Sequence, residues 1–122
     1  MAINGAHVLL YTPEAEALRA TLRDVFGFPH VDAGHGWLIF ALPPAELGVH
    51  PAESAGPAGV HHQLSFMCDD ITSTVADLRA RGIAIKGEPK DEGFGVTTMM
   101  TLPGGVEVML YQPRHAVAIA TV

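Results

Sequence analysis

Apolar positions along the chain switch twice from a strand-like to a helix-like period. Residues 5–11 (GAHVLLY) form a β-rich run, and Thr12-Pro13-Glu14 then supplies an N-cap and a proline in first position, which predicts a helix over about 13–26. Leu18, Leu22, Val25 and Phe26 fall on one stripe of that helix, Arg19, Arg23 and Asp24 fall off it, and Gly27 suits the left-handed position that ends it. An amphipathic helix of this kind lies on a sheet. Three short β-like pieces follow at 30–33, 37–42 and 46–50, separated by Gly34-His35-Gly36 and by Pro43-Pro44. Residues 51–59 (PAESAGPAG) have almost nothing to bury and are expected to form a surface linker.

Beyond the linker the same order returns. A strand is predicted over 61–68, then a helix from Asp69-Asp70 with Ile71, Val75 and Leu78 on one face and Gly82 as its terminator. Strands follow at about 83–86, 96–102 and 106–111, with turn signals at 87–95 and at Pro103-Gly104-Gly105. The chain is thus strand, helix, three strands, written twice, with the helix starts Glu14 and Asp70 offset by 56 residues (70 − 14). Each half alone would cover one face of a sheet and leave the other open, so two copies combine and their inner faces enclose a cavity. Alternation along 61–68 turns Leu64, Phe66 and Cys68 toward the helix and Gln63, Ser65 and Met67 toward that cavity.

Composition narrows the partners. With 122 residues and 48% hydrophobic content the chain is one domain with enough apolar material for a core, which excludes global disorder. Seven Lys and Arg against 13 Asp and Glu give a net charge of −6, with no basic block, so neither nucleic acid nor an anionic membrane is an expected partner. The apolar runs are far shorter than the roughly 20 residues a spanning helix needs. Cys68 is the single cysteine, so no internal disulfide or thiolate cluster is possible, and the start MAINGAH carries no signal-peptide pattern. The expectation is a reduced, cytoplasmic protein.

Four local motifs carry a family resemblance: His7-Val8, RDVFGF at 23–28, SFMCDDI at 65–71 and LPGG at 102–105. With these the chain resembles the vicinal oxygen chelate superfamily, which includes glyoxalases, bleomycin-resistance proteins, fosfomycin-resistance enzymes and extradiol dioxygenases. The resemblance spans about residues 3–113. It implies an α+β fold of two βαβββ modules, about 3–51 and 60–113, with a linker at about 52–59 and a tail over 114–122. These would form a half-open barrel around a cavity, in a homodimer.

In metal-dependent members of that family, His and Glu side chains on the first and last strands of each module hold Zn, Ni, Mn or Fe. The first such position falls on His7, and a step of 56 residues reaches Gln63. Spacing from the LPGG turn places another on Met109, and aligning Glu46-Leu47 with Glu107-Val108 places its partner on Gly48. That quartet holds one good ligand, one weak one and two vacancies. Glu107 lies two residues, roughly 7 Å, from Met109, and a displaced site from His7, His50, Gln63 and Glu107 is conceivable. His61-His62 cannot both ligate one ion from a regular strand, because neighbours point to opposite faces. Loop positions make His30, His35 and His115 solvated residues, Asp69-Asp70 a helix cap, and Cys68 an inert thiol under a helix. Methionines along the cavity suit a variable apolar guest.

Beside a purely structural or partner-interaction domain, whose signature would be a large apolar dimer interface, two classes of function stay open. One is an enzyme of the family, a lyase, isomerase or dioxygenase, in which an ion or a cavity acid/base polarises a substrate's vicinal oxygens. The other is a metal-free binding or sequestering protein that holds a small organic molecule by shape and aromatic surface, with Trp37, Phe94 and Tyr111 available. The expected cavity residues are His7, Trp37, His50, Gln63, Ser65, Met109 and Tyr111, and the incomplete quartet favours a site without the full family metal.

Overall fold

The computed structural model describes residues 7–51, 56–57 and 59–118. Its elements are α1 (Ala15–Asp24), β1 (His30–Asp32), β2 (Leu38–Phe40), β3 (Ser65–Met67), α2 (Ile71–Ala80), β4 (Ala84–Asp91), β5 (Gly95–Leu102) and β6 (Val106–Pro113). The architecture is α+β. The second half forms the expected strand, helix and three strands as a sheet of order β3-β6-β5-β4, in which only the β3–β6 pair is parallel.

Local chemistry explains the helix ends. The Asp70 carboxylate accepts the Ser73 N–H at 3.2 Å and so caps α2, while Gly82, at φ +87°, turns the chain out and lets the Ile83 N–H reach the Leu78 carbonyl at 3.0 Å. Gly27, at φ +68°, ends α1 the same way, with Phe28 N–H on the Leu22 carbonyl. The start of α1 differs from expectation. Glu14 takes the cap position without a side-chain bond, and Thr12 instead accepts the Glu14 N–H at 3.2 Å and donates to the Pro103 carbonyl at 3.0 Å. Thr12 is therefore spent on tying the first half to the β5–β6 turn. Gly104, at φ +83° in that turn, lies so close to Thr12 that a side chain would collide with its hydroxyl.

Both helices cover one face of the four-stranded sheet. Leu18 of α1, Ile71, Val75 and Leu78 of α2, Met100 and Leu102 of β5, and Val108 and Leu110 of β6 form one buried core, with Leu22, Val25 and Phe26 packed against it. The stripe expected for α1 is the one that packs. Phe66 joins Phe26 and Phe28 in an aromatic trio with ring centroids 5.5–5.7 Å apart.

The first half departs from its expected strands. Among its described residues only the short β1–β2 hairpin pairs, and residues 7–11 and 46–50, lying within expected strands, run without assigned strand structure. Pro43 and Pro44 bring no N–H for a ladder, and Val8, Leu9, Leu47 and Val49 remain exposed, so no burial drives pairing there within one chain. The expected linker falls largely outside the described residues. Among the described residues, no helix is long and apolar enough to cross a membrane.

Candidate functional site

The sheet face opposite the helices positions the candidate site. Register fixes its composition: Ser65 pairs with Met109, Met109 with Met99 and Met99 with Lys86, which lays one row across four strands. The next row runs Met67, Tyr111, Thr97 and Lys90. Because successive residues alternate faces, Phe66, Met100 and Leu110 go to the core while these rows stay on the other side, half-buried for all but the two lysines. Three methionines thus floor a surface bounded by Lys86 and Glu107, ion-paired at 3.1 Å, and by Tyr111 at the opposite end.

The Tyr111 end is built from distant parts of the chain. Its ring lies between Phe94, at 5.8 Å, and His115, at 5.7 Å. Gly95 makes this possible. A Cβ there would stand 2.5 Å from Cε2 of Tyr111, so the ring lies across β5 only because glycine leaves the space. The Glu46 carboxylate faces His115 Nε2 at 3.9 Å through one oxygen and accepts the Ala118 N–H at 2.8 Å through the other. Burial pushes the Tyr111 phenol up, the Glu46 charge adds to this, and the hydroxyl keeps its proton at neutral pH. Arg114 pins the neighbouring loop, its guanidinium on Asp91 at 2.5 Å and its N–H on the Phe94 carbonyl at 3.0 Å.

Of the expected cavity residues, the structure brings Ser65, Met109 and Tyr111 onto this face, together with Met67. His7, His50 and Gln63 are exposed, outside any assigned strand. Trp37 is elsewhere: it stands over Arg19 of α1 at 5.1 Å, beside a groove of about 330 Å³ between α1 and the β1–β2 hairpin. A second hollow, of about 470 Å³, lies open at the start of α1. Neither hollow touches the methionine face.

The residues suggested for a displaced metal site do not gather. Among the described residues no group of three or more His, Cys, Asp or Glu stands close enough to share an ion, and Glu107 is engaged by Lys86. As arranged, His7, His50, Gln63 and Glu107 do not fit a divalent cation. Sequence reasoning missed Glu46 and His115 as neighbours of Tyr111, since a tail folding back leaves no periodic signal. Gly95 after Phe94 at a strand start was the available clue, because glycine inside a strand marks close approach. Cys68, half-buried, has its thiol pushed up by burial, which disfavours the reactive thiolate.

A family model, Glyoxalase/Bleomycin resistance protein/Dioxygenase superfamily, matches residues 5–110. The chain belongs to this superfamily. Solved structures with the same fold include TnmS3, an antibiotic-binding protein from Streptomyces sp. CB03234, at 26% identity and TM-score 0.64, covering 93% of this chain and 98% of that one. Lactoylglutathione lyase from Agrobacterium tumefaciens matches at 20% identity and TM-score 0.59, covering 92% and 96%. A superfamily member from Sphaerobacter thermophilus matches at 20% and 0.61, covering 92% and 99%. No curated protein matches by sequence.

Proposed function

We infer that this superfamily member binds a small, largely apolar organic molecule on the methionine-floored face, without the complete family metal site, as a cytoplasmic homodimer. The observation that carries this reading is the Ser65–Met109–Met99 row with Met67 and Tyr111 beside it. Flexible, polarisable thioethers adapt to varied apolar shapes, and an aromatic at one end orients a planar guest. The antibiotic-binding relative supports the same class of ligand. A metal-dependent lyase, isomerase or dioxygenase is the competing reading.

A thermal-shift screen of planar organic compounds, with affinities of the hits measured in wild type and Met109→Gln, tests the proposal. Hits whose affinity falls in the variant, and which bind equally before and after chelator treatment, support it. Near-stoichiometric Zn, Ni, Mn or Fe in the purified protein, lost in His7→Ala, sinks it in favour of the metal enzyme.

A further inference from the structure

We propose that the Tyr111 end of this face is a subsite for the protonated nitrogen of a flat aromatic cation, with Glu46 as its counter-charge. The proposal rests on the reading that the methionine face takes a small organic molecule, and it adds the ligand's charge and shape. Glu46 is unlike the other ion-paired carboxylates. Its side chain is 19% exposed, whereas theirs are 37% exposed or more. Covering a carboxylate is costly unless a cation or hydrogen bonds compensate.

Compensation at Glu46 is partial. One oxygen holds the Ala118 N–H, but among the described residues the other meets only His115 Nε2, at 3.9 Å and beyond hydrogen-bond reach. The permanent cations are committed elsewhere. Six of the seven Lys and Arg pair with other carboxylates, and the seventh, Arg19, lies over Trp37. A protonated ligand nitrogen would supply the missing charge, and the aromatic faces beside it add cation–π attraction. Phe94 is 53% exposed and offers a ring that a planar ligand can cover. Tyr111, with one ring edge over Gly95 and its plane tilted 56° to that of Phe94, adds a second aromatic wall beside it. An anionic ligand would meet Glu46 with like charge.

The test compares two tricyclic probes of similar size, proflavine as the cation and acridone as the neutral counterpart, by isothermal titration near neutral pH. Wild type is expected to bind proflavine about tenfold more tightly than acridone. Glu46→Gln should erase that preference and leave acridone within about twofold, which also shows that the variant is folded; Glu88→Gln, an equal charge change on an exposed residue, should leave it intact. Phe94→Ala should weaken both probes. Acridone binding with no preference for proflavine, or a loss as large in Glu88→Gln as in Glu46→Gln, overturns the subsite and leaves the apolar face standing. Binding of neither probe overturns both.

Discussion

Gly95 and Tyr111 constrain each other. A Cβ at position 95 would lie 2.5 Å from the Tyr111 ring and 2.7 Å from the Gln112 carbonyl oxygen, and that oxygen is backbone and cannot swing aside. Gly95→Ala is expected to cost about 1–3 kcal/mol by overpacking and to change the near-ultraviolet dichroism of Tyr111; chemical denaturation measures the first and dichroism the second. Unchanged stability and spectrum would show that the ring does not rest on the strand. Asp91 yields a prediction in pH. The Arg114 guanidinium, and after it the Gly93 N–H, hold its carboxyl below the ordinary value of 3.8. A folded value below the unfolded one gives stability that is complete above the unfolded value and lost as pH falls through the folded one. The melting temperature of wild type should therefore exceed that of Asp91→Asn at neutral pH, and the gap should close only as pH falls from 3.8 through the lower folded value. A gap that persists in acid contradicts the pairing.

At the scale of elements, α2 is held at its start from two directions. Asp70 caps the Ser73 N–H, and the Gln112 side-chain carbonyl on β6 accepts the Ile71 N–H at 2.8 Å. Asp70→Ala should cost about 1 kcal/mol, and Gln112→Ala a further ~1–3 kcal/mol because it leaves a partly covered donor unpaired; urea denaturation reads both. If the losses are absent, solvent replaces these bonds. The cap was legible in sequence because Asp-Asp before an apolar stripe is a local signal. Gln112 was not, since its partner lies 41 residues away. The same distinction separates the halves. In β5 and β6 alternation, turn glycines and burial agree, so residues such as Met109 and Tyr111 could be placed on a face from parity alone. Segments 7–11 and 46–50 have strand-like composition but no partner strand among the described residues, and composition cannot report a missing neighbour. Glu46 and His115 meet Tyr111 through tail docking, which has no period to read.

The whole molecule leaves Val8, Leu9, Leu47, Val49 and Val60 exposed, a distribution that suits a second copy covering the first half. Sedimentation should show a species of twice the chain mass, shifted toward monomer by Leu47→Asp with Val49→Asp. A wild type that stays monomeric at high concentration refutes the homodimer.

Apart from Leu18, every buried apolar residue of the core among the described residues lies between positions 71 and 110. On the ribosome, α1 therefore emerges long before the surface it rests on exists. At roughly 5–20 residues per second, the 92 residues from Leu18 to Leu110 take about 5–18 s to synthesise. Through that interval the apolar stripe of α1 lacks the strands it rests on, until the last hairpin closes against Thr12.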